Sequence, residues 1–477
     1  VSSNPSGGNA IINRPLIIGG GISGLAAAYF LAKQGRPSLL LEPGRLGGVI
    51  QTKRLEGCLL EEGPDSFLSA KPEALDLIRE LGLESEVIGS NDHQRVTWIW
   101  REGRMVPLPD GLMMMVPTKV MPMALSPLVG WGTKLRMGWE FFRAPQPGLP
   151  DRSVGEFIED HYGKEAVDYL AEPLLSGVYG GDPYKLSVQS VLPRFAEMEA
   201  KYGSLTKGTL AGMAKASKPP AEQQRQGGSA TLFRTLRGGL ATLVEALRAA
   251  IAPHCEHVRT AARHVELEGK HYRVQSGDQS WLSSQVIVAT PAWSAARLLV
   301  TLDPRLAGML ARIEYSSSLT AGLVYERAQV RQAFPAFGFL VPRKERRHLV
   351  ACTFVDQKFD HRVPADKLLL RCFLGGAGQD HVLDWSDEDV IAAIREDLAA
   401  MLGLRAEPVA TSVSRWPDSM AQYEVGHAKT IEEIRATLRR YPGLRLAGNG
   451  YAGIGIPDCI RSAKLAVQSL LEQQTAA

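Results

Sequence analysis

Three glycines, Gly19-x-Gly21-x-x-Gly24, stand between an apolar run, Leu16 to Ile18, and an alanine-rich run from Leu25 to Lys33. Glycine is required there if the chain turns tightly and lets backbone N–H groups approach a pyrophosphate, while the following helix adds partial positive charge at its first turn. Ile22 and Ser23 lie inside that turn, so their N–H groups are candidates for the same anion. Glu42 ends a second apolar run, Leu39 to Leu41, at the distance where a carboxylate accepts from ribose hydroxyls. A Gly-x-Gly-x-x-Gly alone is a weak signal. Strand, turn, helix, strand and acid in register make it a dinucleotide site.

The residues after Glu42 favour FAD over a nicotinamide, because Arg45, Gly47 and Gly48 in Arg45-Leu-Gly-Gly48 can wrap a longer, fully sequestered dinucleotide. A second support is Glu61 to Phe67, where Gly63, Pro64, Asp65 and Ser66 break the chain before a new helix. The strongest local signal is Leu446 to Ala463, in which Gly448, Gly450, Gly453 and Gly455 allow close backbone approach and Pro457 suits the first turn of a helix. The N–H groups that begin this helix, around Ile456 and Asp458, can stabilise negative charge on the N1/C2=O edge of a reduced flavin. Cys459 alone offers a nucleophile beside that motif, inside the turn, so FAD is expected to bind without a covalent link. No Ser/His/Asp set or paired carboxylates accompany these motifs, and no metal site is expected.

Around these residues the sequence predicts an α/β and α+β protein. A discontinuous Rossmann-like FAD-binding domain is expected over 11–65, 236–301 and 441–477. A mixed-sheet substrate domain is expected over 66–90, 204–235 and 302–440, and an inserted helical domain over 91–203. Helical patches stand out at Val154–His161 and Ala166–Leu175. Alternation at 264–268 and 271–274 predicts an antiparallel hairpin, and Val286 to Ala289 a buried strand. Lys207 to Gly228 reads as an exposed polar connection, and residues 1–14 as a flexible leader without a secretory signal. A chain of 477 residues, 45% hydrophobic, can bury more than one core. The balance of 54 basic and 51 acidic residues argues against a nucleic-acid partner. Cys58, Cys255, Cys352, Cys372 and Cys459 show no metal or disulfide spacing and read as reduced thiols of a cytoplasmic protein.

The glycine start at 19–24, Arg45 to Gly48, Glu61 to Phe67, Ser176-Gly-Val-Tyr-Gly-Gly-Asp-Pro183, Phe337 to Pro342 and Ala447 to Ala463 together resemble oxygen-dependent protoporphyrinogen oxidases, over nearly the whole chain. The first two motifs occur throughout flavin amine oxidases and phytoene desaturases, whereas the stretches at 176–183 and 457–463 are more specific. The resemblance implies oxidation of protoporphyrinogen IX to protoporphyrin IX by FAD in heme biosynthesis, with molecular oxygen as acceptor and hydrogen peroxide released. Aromatisation supplies the driving force, which suits the lack of a dedicated strong base. Coproporphyrinogen III is the alternative substrate; its two extra propionates would need further basic side chains.

Position by position, the resemblance places Arg95 on a substrate propionate, with Arg101 as its competitor in a slightly longer loop. It sets Leu340 and Phe373 as apolar clamps on the macrocycle, and Gly177 as a glycine whose carbonyl faces it. Val265 matches a position whose backbone pairs with adenine, and Trp416 a tryptophan near the cofactor. Asp65 stands where many relatives have Asn, facing either flavin or substrate. The stretch 112–142, with Trp131, Trp139, Lys119, Lys134 and Arg136, reads either as core or as a peripheral membrane surface. The basic run Arg343 to His348 reads as a solvated loop that could meet substrate carboxylates. A homodimer stays open. So do an amine- or polyene-oxidising flavoenzyme and, less favoured, a carrier without catalysis.

Overall fold

The computed structural model describes residues 10–216, 231–330 and 332–475. Leu16–Ile18, Ser38–Leu41, Cys255–Val258, Val286–Val288 and Leu444–Leu446 form one five-stranded sheet in which every pair is parallel. The three inner strands, Leu16–Ile18, Ser38–Leu41 and Val286–Val288, are short, wholly buried and almost entirely apolar, as a parallel sheet covered on both faces requires. One face packs under the first helix, Ile22–Lys33, the helix Ala241–Ile251 and the closing helix, Ile456–Thr475, through Leu25, Leu243, Leu247 and Ile460. The other face packs under Ala292–Leu299, Pro304–Ala311 and the predicted hairpin, His264–Glu268 with His271–Ser276. Pieces far apart in sequence are thus neighbours in one sheet, the α/β assembly that the sequence predicts.

A second, mixed sheet has seven strands in the spatial order Ala410–Ala421, Tyr315–Glu326, Lys367–Gly375, Ala351–Phe354, Gly338–Leu340, Thr97–Arg101 and Arg104–Pro107. All neighbours are antiparallel except Gly338–Leu340 beside Thr97–Arg101. Side chains alternate between faces along each strand. Leu319, Ala321, Leu323, Leu370, Cys372 and Leu374 therefore point into a core closed by Val390, Ile394 and Leu398 of the helix Asp387–Leu402. Thr320, Arg371, Phe373, Ser412 and Ser414 occupy the opposite face.

Helices between Val120 and Ala216 build a third core around Phe157, Ile158, Tyr162 and Leu170. Ser153 opens the helix Val154–Tyr162 with a reciprocal cap, its side chain accepting from the Glu156 N–H while Glu156 accepts from the Ser153 N–H. Three sequence expectations change here. Ala10–Ile11, read as leader, pairs in parallel with Trp281 and Leu282. The first half of the expected polar connection is a helix, Leu205–Ala216, anchored by fully buried Leu205; residues 217–230 lie outside the described part. Thr97 to Pro107, grouped by sequence with the helical insertion, adds two strands to the mixed sheet.

Candidate active site

The first helix begins at Gly21 without a side-chain cap and without an acidic residue in its first turn, so its leading N–H groups are left for an anion. Gly19 has φ +104°, and a Cβ there would lie 2.9 Å from the Ala289 carbonyl; a Cβ at Gly24 would lie 1.8 Å from the Gly19 carbonyl. Both glycines are demanded by the protein itself. Gly21 differs: nothing lies within 4 Å of its Cβ position, so the fold itself does not demand glycine there. The open space is a cradle that a side chain would fill, and a pyrophosphate fits it.

Glu42, half-buried, accepts from the Gly20 N–H at 2.7 Å and from the Gly44 N–H at 2.8 Å, which fixes its carboxylate beside the turn. Gly47 donates to the Gly20 carbonyl at 2.8 Å and bridges to Gly21, while Gly48, at φ +58°, would press a Cβ within 3.3 Å of Gly21. The second glycine pair therefore closes against the first, as a wrap around a dinucleotide requires. Ile22 and Ser23 are buried behind it, Ser23 reaching the Cys459 carbonyl at 3.4 Å, whereas Arg45 is exposed. Val265 is fully buried opposite Val274, on the strand at the edge of its sheet, where one side of its backbone has no strand partner among the described residues.

In the segment expected from sequence to meet the flavin, the Gly63 carbonyl accepts from Arg371, and Trp416 Nε1 donates to the Glu62 carbonyl at 2.8 Å. Pro64 leads to Asp65, which pairs with Lys358 at 2.7 Å and Arg371 at 3.4 Å and accepts from Ser66 at 2.6 Å. Burial alone would raise the Asp65 carboxyl, but the two cations hold it well below the usual carboxylate range. Asp65 is thus an internal counter-ion for cations of the mixed sheet. Gly448, at φ +141°, donates to Ser462 Oγ at 3.3 Å, and Ile456 and Pro457 are buried at the head of the closing helix. The Asp458 carboxylate is 2% exposed and committed to Lys71 and Arg461, leaving its backbone N–H as its contribution to a cofactor. Burial pushes the Cys459 thiol up to about 12, so it is not a ready nucleophile.

On the substrate side, register decides the geometry. Leu340 pairs with Ala351, Ala351 with Phe373, Phe373 with Thr320, and Thr320 with Ser414, so all five lie in one row on one face. Leu340 and Phe373, two strands apart, are about 10 Å from each other. The helix Glu172–Tyr179 ends over this row, with the Cβ position of Gly177 3.5 Å from Leu340 Cδ2. Three residues read separately from sequence are therefore neighbours. Arg371, which the motif reading passed over, links the two halves: two residues from Phe373 on the same face, it lies 4.5 Å from that ring and also holds Gly63 and Asp65. Period-two alternation on its strand was the signal that could have found it.

The two candidate arginines separate clearly. Arg95 is exposed, and no ion pair among the described residues holds it. Arg101 is tied to the Leu128 carbonyl, to Glu165 at 3.0 Å and to the Tyr169 ring at 4.3 Å. The basic run 343–348 is not the free loop expected from its composition. Arg346 is buried on Glu172, Arg343 pairs with Asp182 at 3.0 Å, and Lys344 lies over Tyr169 at 4.1 Å. These contacts dock the mixed sheet onto the helix that carries Gly177.

Comparison with known proteins agrees with this geometry. A model of the flavin containing amine oxidoreductases matches residues 22–471. A coproporphyrinogen III oxidase of Bacillus subtilis is 34% identical over 96% of this chain and 97% of its own, and one of Staphylococcus aureus is 32% identical over 96% and 98%. Protoporphyrinogen oxidase 1 of Arabidopsis thaliana chloroplasts is 28% identical over 96% of this chain and 88% of its own. A crystal structure from Exiguobacterium, provisionally named a protoporphyrinogen oxidase, superposes with a TM-score of 0.85 at 31% identity, covering 98% of this chain and all of that one. Cyclohexylamine oxidase of Brevibacterium oxydans, at 19% identity and a TM-score of 0.68, shares the fold. With the uncapped helix, the open Gly21 cradle and Glu42 in place to receive FAD, the chain belongs to the flavin-containing amine oxidoreductase family, on the branch whose named members are porphyrinogen oxidases.

Proposed function

We propose that this chain oxidises a porphyrinogen to the porphyrin in heme biosynthesis, that its physiological substrate is coproporphyrinogen III, and that molecular oxygen is the acceptor. The observation that carries the reaction class is the row from Leu340 to Phe373 under Gly177, joined through Arg371 to the cofactor segment at Gly63. It offers an apolar wall for a macrocycle next to the flavin. FAD supplies the two-electron acceptor. The chain's residues hold and orient: Leu340 and Phe373 set the ring plane, the Gly177 carbonyl faces the macrocycle, and Arg95 takes a propionate. The porphyrinogen loses six hydrogens in three rounds, and three molecules of oxygen leave as three of hydrogen peroxide. No residue need act as a strong base, since aromatisation makes loss of the pyrrole protons favourable.

Two observations support coproporphyrinogen over the protoporphyrinogen suggested by the sequence motifs. The 34% and 32% identical relatives carry the first name. Arg95 is exposed with no ion pair among the described residues, and Arg343 and Lys344, just beyond Leu340, keep 44% and 46% of their side chains exposed although paired with Asp182 and Asp168, so they can exchange those partners for additional propionates. Porphyrin fluorescence under air, followed with each porphyrinogen, tests this: kcat/KM is expected to be higher for coproporphyrinogen III. The reverse ranking would return the assignment to protoporphyrinogen IX, and no fluorescence with either would reject the reaction class.

A specific surface supports a peripheral membrane reading. Among the described residues no helix is long and apolar enough to cross a membrane. Yet Val120, Leu125, Trp131, Trp139 and Phe142 are each at least 69% exposed, and Lys134 sits 4.6 Å from the Trp131 ring. Half of the Met and aromatic stretch is core, through Met115, Met123 and Met137; the rest faces outward as an apolar and basic surface suited to anionic lipid. Flotation with phosphatidylglycerol vesicles is expected for the wild type and lost in Trp131→Ser/Trp139→Ser; equal flotation of both proteins would exclude this surface.

A further inference from the structure

Between the strand Ala410–Ala421 and the helix His427–Leu438 lies a tyrosine whose hydroxyl bonds twice to one turn. Tyr423 Oη donates to the Asn449 carbonyl at 2.6 Å and accepts the Gly453 N–H at 2.7 Å. These are the two ends of the turn that leads into the closing helix. Tyr315 holds the same turn from the neighbouring strand: its hydroxyl accepts the Ala292 N–H at 2.9 Å and donates to Asn449 Oδ1 at 3.3 Å. Asn449 Nδ2 donates in turn to the Ser419 carbonyl at 2.9 Å.

The turn needs such outside support. Gly448, Gly450, Gly453 and Gly455 give the backbone freedom to approach a ligand but no preference for one shape. The Tyr423 ring is itself locked, 2% exposed and stacked on His427 with centroids 4.1 Å apart at 12°. Burial pushes the His427 imidazole down to about 4, so it packs as a neutral ring, and burial raises the Tyr423 phenol, which therefore stays protonated. The adjoining Gln422 reaches the substrate side, its Nε2 donating to the Tyr179 carbonyl at 2.7 Å, at the end of the helix that carries Gly177.

We propose that Tyr423 is a positioning residue for flavin reduction: its hydroxyl fixes the 449–453 turn and so aims the N–H groups at the head of the closing helix toward the negative edge of the reduced flavin. The inference rests on the closing helix lying along that edge. Fixed dipoles stabilise developing charge only if they are already oriented, so loosening the turn should cost reduction of the flavin rather than its binding.

Tyr423→Phe keeps the ring and its stack and deletes both bonds. Flavin content and circular dichroism should stay at wild-type values, while the equilibrium toward reduced flavin weakens about five- to thirtyfold, a fall of about 20 to 45 mV in the two-electron midpoint potential measured against redox dyes. Tyr315→Phe should shift the potential the same way by less, and carries the test if Tyr423→Phe does not retain flavin. A wild-type potential in every isolated variant overturns the proposal. Because no porphyrinogen enters this experiment, its outcome is independent of the substrate assignment.

Discussion

Arg95 and Arg101 are close in sequence but are held by different surroundings. Arg101 is 13% exposed and serves Glu165, the Leu128 carbonyl and Tyr169, so Arg101→Ala is expected to cost about 1–3 kcal/mol of stability in urea unfolding. Arg95 has no such duty, and Arg95→Ala should leave stability and flavin content unchanged while kcat/KM falls about ten- to hundredfold, chiefly through KM. A propionate is charged alike in the ground and transition states, which is why binding rather than turnover suffers. Steady-state kinetics showing the defect only in Arg101→Ala would transfer the carboxylate to that residue. Gly21 and Gly24 make a similar contrast. A methyl at Gly24 would enter the Gly19 carbonyl, so Gly24→Ala should not yield folded protein, whereas the Cβ of Gly21→Val has no protein atom within 4 Å and the variant should fold without flavin. Full flavin absorbance in folded Gly21→Val would remove the cradle from the cofactor site.

Helices Trp131–Glu140, Val154–Tyr162 and Pro193–Tyr202 meet at one buried histidine. His161 Nδ1 lies 3.1 Å from Glu140 and Nε2 3.1 Å from Glu199, so both ring nitrogens face carboxylates, which favour the protonated ring. Burial and Arg143 would lower its pKa, but the bonds to the two acids raise it above the ordinary 6.5; Glu140 is lowered, with burial opposed by His161, Leu205 and Ser204. Arg152 on Glu199, and Arg143 and Arg152 on Asp160, complete the surrounding charge. The His161 contribution is therefore complete below about pH 6.5 and is lost as pH rises through its raised pKa. The Glu140 contribution is present above its ordinary 4.5 and is lost as pH falls through its lowered pKa. His161→Ala leaves buried Glu140 without its cation, while Glu199 keeps Arg152, and should cost about 3–5 kcal/mol at pH 6, with less difference from wild type at high pH. Equal urea midpoints for the two proteins at pH 6 would contradict this.

At the scale of the molecule, one buried ion pair joins the cofactor side to the mixed sheet. Arg362 and Glu61, 2% and 3% exposed, bond at 2.8 Å; Arg362 also donates to Thr235 Oγ1 at 2.7 Å and to the Leu236 carbonyl at 3.0 Å, and Glu61 accepts the Leu240 N–H at 2.8 Å. Three separated stretches of chain are bound at this point. Arg362→Met leaves Glu61 buried without its cation and should cost about 3–5 kcal/mol, part of it recovered by adding Glu61→Gln. Because the pair ties the segment leading to Gly63 to the connection before the strand Lys367–Gly375, flavin release and loss of circular dichroism should coincide in urea. A variant that unfolds at the wild-type midpoint would show that this ion pair does not hold the junction.

The parts legible from sequence were those whose physics is local. Gly19, Gly21 and Gly24 with Glu42, and the glycine run before Pro457, mark short backbone conformations that only particular residue types adopt, so the α/β opening and the FAD site could be read directly. Alternation likewise predicted the hairpin at 264–274, which the structure extends to Ser276, because each strand has one buried face. Composition misled where packing decides: Lys207 to Ala216 is polar yet helical because Leu205 anchors it, and the basic run at 343–348 is neutralised by Glu172 and Asp182 from another element. Leu340, Phe373 and Gly177 could be named from sequence only by resemblance, each explicable as core. Strand register set the first two in one row and laid the third against it, and the same register brought Arg371 onto Gly63 and Asp65. A one-residue slip in either strand would have turned those side chains to the other face, and no spacing within a single segment encodes the pairing between distant ones.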